Sequence, residues 1–560
     1  MLRPIKGATL LDHLLFHRGI TKEAAADFCE PDFAKHTHDP FLMKDMEKAV
    51  SRVLGAVRAN EKSVIYSDYD ADGIPAAVAL HDFFKKIGFG NFENYIPNRH
   101  DEGFGLNSEA VRTFSEKGVR LLITLDCGMG DAPAAQLAKD NGIDLIIIDH
   151  HLPGGVLPAA FAILNPKQEG CGYPEKMLCG AGVAFKFIQA LAERLRSNVK
   201  GQLSNVPLGW EKWLLDMVGI ATLSDMVPLT GENRVFARYG LTVLRKSPRL
   251  GLRALFSRLR VDQRYLTEDD IGFTISPRIN AASRMGEAMD AFLLLTTTDR
   301  DEAETLAANL EKINDERKGT AAALSKEVKH KVRERYGEKA ERVIVVGNPS
   351  WRPALLGPAA SACVTEHKRP VFLWGRDGEG LIKGSCRSER ANLVELMSKV
   401  RPGVFLQFGG HAFSGGFTVA NEKIHILEEE LNRVYEMTMK EEPAAEQLAD
   451  WELFLDDVNW GAWKTLEALA PFGEGNPKPL FILHDVVPKS VRHFGKDNNH
   501  LELSFEKTDG RKLSAIAFFK TADDWGREVA PGKVLDLVAT LEKSTFRNFP
   551  ELRLRIVDIL

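Results

Sequence analysis

The sequence predicts an α/β protein of several domains, with a parallel-sheet domain joined by one long helix to a second α/β domain and then to a small β-barrel. Three observations carry this. Between residues 50 and 165 short apolar runs alternate with helical stretches, the pattern of strands buried on both faces of a parallel sheet. Residues 301–336 contain no Pro and one Gly, Gly319, and read as a single helix of roughly 50 Å at 1.5 Å per residue. Beyond residue 451 the apolar runs are short and separated by turn residues, as in a small barrel. With 560 residues, 44% of them hydrophobic and 27% charged, the chain has material for about three or four cores.

In order along the chain, residues 1–45 read as short helical pieces with turns at Glu30-Pro31 and Asp39-Pro40, a small cap with no chemistry assigned. The first large domain, 46–300, opens with an apolar strand at 64–66 that runs into Ser67-Asp68-Tyr69-Asp70-Ala71-Asp72-Gly73. A helix over 75–87, closed by Gly88, leads to a strand at 121–125 that ends in Asp126, and a third strand at 145–148 ends in Asp149, His150 and His151. The rest of this domain is mainly helical, with apolar segments at 178–195 and 213–223. The connecting helix is set at 301–337. The second α/β domain, 338–445, contains strands at 343–346 and 371–374 and a glycine-rich segment at 409–416. The acidic stretch 441–450 reads as a linker, and 446–560 forms the barrel, with β runs at 501–505, 513–519 and 534–541, an oligonucleotide-binding barrel being one candidate. No repeat of solenoid type is present.

Six cysteines (Cys29, Cys127, Cys171, Cys179, Cys363, Cys386) form no Cys-x-x-Cys pair and no dense framework, which suits a reducing compartment. The first twenty residues lack a continuous apolar run and no stretch approaches the roughly 20 apolar residues of a membrane span, so a cytoplasmic protein with no membrane partner is expected. A net charge of -5 gives no support for a nucleic-acid partner, so any basic groove must be local.

Three alternating carboxylates at Asp68, Asp70 and Asp72 repel one another unless cations hold them. An EF-hand loop opens in the same way, but counting from Asp68 puts Ala79 where its closing Glu belongs, and the segment leaves a strand rather than a helix. In open parallel sheets ligands bind beyond the carboxyl ends of the strands, so three strands would deliver Asp70, Asp72, Asp126, Asp149 and His150 to one edge. Asp225, at the end of an apolar run before Pro228, says little alone, since such a residue is commonly a cap or turn former. Oxygen ligands with one imidazole favour Mn2+ or Mg2+ over zinc, and several shared carboxylates suggest two divalent cations, a donor set suited to phosphodiester hydrolysis. The competing reading, a structural acid cluster neutralised by Lys and Arg, requires burying many carboxylates without cations, which is costly.

These four segments together resemble the DHH phosphoesterases, named for the sequence found here at Asp149-His150-His151. The resemblance implies that Asp70, Asp72, Asp126, His150 and Asp225 ligate two metals, with Asp68, Asp149 and His151 as nearby supports or substrate contacts. Over about residues 10–560 the chain is similar to the RecJ branch of that superfamily, in which a DHH catalytic domain, a long helix, a DHH-associated domain and an oligonucleotide-binding barrel follow one another. The segments carrying this are 98–105, 277–285, Trp351-Arg352-Pro353, 384–388, 409–416 and 471–477; Ser283 stands where Gly is usual. The resemblance implies that Arg99, Arg278, Asn280, Ser385 and Arg387 hold the 5′ end or backbone of a strand, with His411 near the scissile phosphate. It further implies a single-stranded-DNA-specific 5′→3′ exonuclease of DNA repair and recombination, with single-strand-binding protein and a helicase as partners.

In the barrel Phe494, Phe518, Phe519 and Phe546 stand near Lys496, Lys520, Lys543 and Arg547 in sequence, a composition suited to base stacking, although core packing is the expectation for most of these Phe residues. Two rival functions stand beside the nuclease. One is hydrolysis of short oligonucleotides or a small phosphate compound, against which the barrel and long helix argue; the other is a non-catalytic DNA-binding scaffold, against which the intact acids argue.

Overall fold

The computed structural model describes residues 9–197, 206–337, 342–378, 380–438, 448–544 and 549–560. They form two compact units, one of residues 40–225 and 242–444, the other drawn from 1–39, 226–241 and 445–560.

The first unit holds two sheets. Strands β1 (Ser63–Ser67), β2 (Phe92–Tyr95), β3 (Leu121–Leu125), β4 (Asp144–Ile148) and β5 (Ala162–Leu164) form an all-parallel sheet of order β2-β1-β3-β4-β5. Every residue of β1 and β3 is buried, which is why they read as mainly apolar runs. Ser67 pairs with Leu125 and Leu125 with Ile148, so the residues that follow β1, β3 and β4 leave the sheet side by side. The helix Gly73–Lys86 packs against the helices Gly180–Ser197 and Leu215–Ser224, and the last of these ends at Asp225.

The long helix runs from Arg300 to Tyr336 without interruption, its start capped by Asp299, whose carboxylate accepts the Glu302 amide at 2.9 Å. Its buried positions fall at spacings of three and four. Ala303, Ala307, Leu310 and Ile313 form one set, while Leu324, Val328 and Val332 join the core under the second sheet with Ile344, Val346 and Leu373. That sheet contains β6 (Ile344–Gly347), β7 (Val371–Arg376), β8 (Ile382–Arg387), β9 (Phe405–His411) and β10 (Ser414–Val419) in the order β6-β7-β8-β10-β9. The glycine-rich segment is the β9–β10 hairpin. There Gly410, at φ +131°, lies so near the partner strand that a Cβ would meet the Ser414 carbonyl oxygen at 2.4 Å.

In the second unit β11 (Trp451–Glu452), β12 (Phe481–Val486), β13 (Ser490–Phe494), β14 (His500–Glu506), β15 (Lys512–Ala517), β16 (Leu535–Ser544) and β17 (Glu551–Ile559) take the order β11-β12-β16-β17-β15-β14-β13. Phe481, Leu503, Phe505, Leu537 and Leu554 fill its core, together with Leu14 and Leu15 of the helix Leu10–His17, so the N-terminal segment is part of the barrel's packing. Residues 226–241 are tied to it by buried Arg234, which donates to the carbonyls of Phe28 and Leu469 and stacks on the Phe28 ring at 3.7 Å. The expectation that most of the named barrel Phe residues are core does not hold for those described. Phe494 and Phe518 are half-buried and Phe519 is 79% exposed, because the inward positions of β14 and β15 are taken by Leu501, Leu503, Phe505 and Leu513. Phe546 and Arg547, and residues 441–447 of the expected linker, lie outside the described residues. No described helix is long and apolar enough to cross a membrane.

Candidate metal centre

Each strand-end segment turns sharply enough to present a carboxylate. After β1, Asp70 Oδ1 accepts the amides of Asp72 at 2.8 Å and Gly73 at 3.1 Å, which folds the chain into the first turn of the Gly73–Lys86 helix. Only Gly fits at position 73, because a Cβ would stand 2.5 Å from the Asp68 carbonyl oxygen. Asp72 accepts the amides of Gly180 at 2.6 Å and Ala181 at 2.7 Å, at the amino end of the Gly180–Ser197 helix, where free N–H groups favour a negative charge. After β3, Asp126 takes φ +60°, a conformation rare for a residue with a side chain and common at functional sites.

After β4 the Asp149 carboxylate organises the turn. Its Oδ1 accepts the amides of His150 and His151 and the His151 Nδ1 proton at 2.7, 3.0 and 2.8 Å, and its Oδ2 accepts the Met129 amide at 3.0 Å. Lys167 and Asn165 bind the carbonyls of His150 and His151 and fix the turn from outside. Burial alone would raise the Asp149 carboxyl, but the charge and hydrogen bonds of His151 outweigh it and hold the group well below the ordinary carboxylate range. The same pair lifts His151, against its burial, to about 9.

The other acids show the opposite behaviour. His150 Nε2 lies 3.2 Å from Asp126 Oδ1, 3.7 Å from Asp225 Oδ2 and 3.8 Å from Asp72 Oδ2. Three sets of donor atoms each gather within 4.8 Å: Asp126 with His150 and His151, Asp72 with His150 and Asp225, and Asp68 with Asp70 and Asp126. Burial and the neighbouring acids push Asp68, Asp126 and Asp225 well above the usual carboxylate range, and burial with Asp70 lifts Asp72 to about 7. Asp68 Oδ1, Asp126 Oδ1 and Asp225 Oδ2 are buried without a hydrogen-bond donor among the described residues. Oxygens that face one another and lack protein donors fit divalent cations, and a Cβ at Gly180 would stand 2.7 Å from the Asp126 carboxyl, inside the same space.

The residues expected at substrate divide into two groups. Arg99 lies over the Tyr69 ring at 4.7 Å, between Asp68 and Asp70. Arg387 and Ser385 face the first turn of the helix Leu356–His367, where a Cβ at Gly357 would stand 2.8 Å from Arg387 Nη2 and 3.8 Å from Ser385 Oγ. Sequence reasoning missed Arg284, which joins this group. Burial first, then the like charges of Arg99, Arg317 and Arg387, push its guanidinium down to about 9, while Asp70 acts the other way. Neither Arg99, Arg284 nor Arg387 has a carboxylate at ion-pair distance among the described residues.

Arg278 departs from expectation. It is buried and forked onto Glu311 of the long helix, Nε to Oε2 at 2.6 Å and Nη2 to Oε1 at 3.1 Å, with Nη1 on the Thr274 carbonyl at 2.7 Å, so its donors are engaged within the fold instead of facing substrate. Asn280 Oδ1 accepts the Ala71 amide at 2.9 Å. Ser283, where Gly is usual in the resembled pattern, sits in ordinary helix with its hydroxyl on the Asn280 carbonyl at 3.2 Å. His411 ends β9, and its side chain is not among those described.

Comparisons with known proteins agree with the fold. Residues 62–222 match the DHH family N-terminal domain, 340–438 the DHHA1 domain and 449–558 the RecJ OB domain. The single-stranded-DNA-specific exonuclease RecJ of Bacillus subtilis is 36% identical over 98% of this chain and 67% of its own, and that of Haemophilus influenzae is 31% identical over 86% and 84%. The crystal structure of RecJ in complex with Mn2+ from Thermus thermophilus superposes with a TM-score of 0.80 at 26% identity, over 98% of this chain and 76% of that one.

Proposed function

The chain belongs to the RecJ family of DHH phosphoesterases, and from that premise we propose that it is an exonuclease that hydrolyses single-stranded DNA from the 5′ end. The observation that carries the proposal is the pairing of two complementary deficits: buried carboxylate oxygens that lack donors, and near them the half-buried guanidinium groups of Arg99, Arg284 and Arg387, which lack carboxylates among the described residues. Asp70, Asp72, Asp126, His150 and Asp225 are the proposed ligands of two Mn2+ or Mg2+ ions. Bound there, the pair supplies the Lewis acidity that activates water and offsets charge at the attacked phosphate.

The remaining roles fall to the protein's own groups. Asp149 fixes the His151 ring through Nδ1 and raises its basicity, which suits a protonated imidazole beside a phosphate oxygen. Arg99, Arg284, Arg387 and Ser385, with the amide groups that open the Leu356–His367 helix, hold the terminal phosphate of the strand; His411 is placed near the scissile bond by the family resemblance alone. In the barrel, Arg553 and Arg555 lie over the Phe518 ring, next to His500 and exposed Phe519, an arrangement suited to stacking on bases. The proposed setting is DNA repair and recombination in the cytoplasm, with single-strand-binding protein and a helicase as partners on family grounds.

The test is incubation with Mn2+ of single-stranded and duplex DNA labelled separately at each end. Early release of short products from the 5′ label, with duplex spared, is the expected result. Release from the 3′ label alone removes the polarity, and cleavage confined to dinucleotides removes the DNA substrate.

A further inference from the structure

The helix Ser276–Met285 supplies no proposed metal ligand, yet it meets the segments that bear the ligands at two points. Ser276 Oγ lies 2.5 Å from Ser224 Oγ, the residue before Asp225. One turn on, Asn280 Oδ1 accepts the amide of Ala71, the residue between Asp70 and Asp72, at 2.9 Å. One turn further, Arg284 enters the arginine group, and its carbonyl accepts from His100 Nε2 at 3.1 Å, beside Arg99. Positions 276, 280 and 284 recur every four residues and so share one face of the helix. Off that stripe, Arg278 on Glu311 fixes the helix to the long helix.

Within the turn after β1, the other amides that hold it bond to Asp70 itself, whereas the Ala71 amide reaches outside the turn to Asn280. Building on the metal reading above, we propose that Asn280 is a positioning residue for the divalent-cation site. Its side-chain carbonyl pins the turn that sets the separation of Asp70 and Asp72 against their mutual repulsion. Because Arg284 stands on the same stripe, the seat of the terminal phosphate and the spacing of the carboxylates are set by one rigid helix. Sequence reasoning placed Asn280 on substrate; the hydrogen bond to Ala71 places it behind the metal loop.

The test uses the full chain, stripped with chelator and titrated with Mn2+ in the absence of DNA, free ion being read by electron paramagnetic resonance. Asn280→Leu is expected to weaken Mn2+ binding roughly 10- to 100-fold, as loss of a group supporting metal ligands does, with Asn280→Ala as the smaller alternative should Leu lower the melting temperature. Asn280→Asp keeps an acceptor for the Ala71 amide and is expected to bind within about threefold of the parent, and Ser283→Ala, on the same helix, to bind as the parent does. In turnover, Asn280→Leu lowers kcat at fixed Mn2+ while KM for DNA holds. Unchanged Mn2+ binding with a raised KM would overturn the proposal in favour of a substrate contact, and so would Asn280→Asp binding as weakly as Asn280→Leu. Asp126→Ala separates the two readings: if it loses Mn2+ and Asn280→Leu does not, only the positioning role fails; if neither loses it, the metal site fails as well.

Discussion

At Asp126 and at the two arginines of the Ser276–Met285 helix the structure assigns opposite consequences to similar substitutions. Asp126→Ala removes one of several mutually repelling buried carboxylates, so the chelated protein is expected to melt no lower than the parent in a thermal scan. Hydrolysis is expected to fall by roughly a thousandfold, the equivalent of about 4 kcal/mol of lost charge stabilisation. Arg278→Gln strands Glu311 and should cost about 2 kcal/mol of stability, read as a lower melting temperature with DNA affinity little changed. Arg284→Gln loses the bond from Nη1 to the Ala354 carbonyl at 2.6 Å but relieves repulsion from Arg99, Arg317 and Arg387, so the melting temperature should change little, while binding of 5′-phosphorylated strands should weaken by roughly tenfold to a hundredfold. A nitrocellulose or anisotropy binding series, run beside the thermal scans, separates the two. Which of these arginines is engaged within the fold was not legible in the sequence. They stand six positions apart on one helix and so point different ways, and the residue that claims Arg278, Glu311, is 33 positions distant.

Among the elements, those specified by local pattern were the legible ones. The strands ending at Ser67, Leu125 and Ile148 are mainly apolar runs, and the long helix announces itself by the absence of Pro; it starts at Arg300 and ends at Tyr336, against an expected 301–337. The candidate metal segments stood out for a similar reason, since Asp126 and Asp149 directly follow such runs. Elements defined by pairing were not legible. β2 is half-exposed Phe-Glu-Asn-Tyr and β5 has three residues, too little for a period, and their places at the edges of the sheet depend on partners far along the chain. The turn into the Gly73–Lys86 helix gives a prediction at this scale. Gly73→Ala forces the turn away from the Asp68 carbonyl, and displacing catalytic groups by about 1 Å is expected to lower kcat by roughly a hundredfold while the protein stays folded. Steady-state kinetics with circular dichroism checks it; activity within twofold of the parent would mean that the backbone there is not held.

For the molecule as a whole, the division into units does not follow the order of the chain. Leu14 and Leu15 complete the barrel core and Arg234 binds barrel carbonyls, so the barrel unit is drawn from three separated stretches. No local signal links residues 9–39 to residues near 500, and the sequence suggested only a small helical cap. Deleting 449–560 alone should leave the apolar face of the Leu10–His17 helix without its partner and give poorly soluble protein. Deleting residues 1–39 as well should recover part of the soluble yield, which size-exclusion chromatography of the two truncations decides. The most direct measurement on the whole chain is Mn2+ titration of chelator-stripped protein, following bound ion and hydrolysis of a 5′-labelled single strand in the same samples. Binding of two ions per chain, with hydrolysis absent in the stripped protein and rising with occupancy, is the expected result; hydrolysis undiminished after the ions are removed would contradict the metal centre.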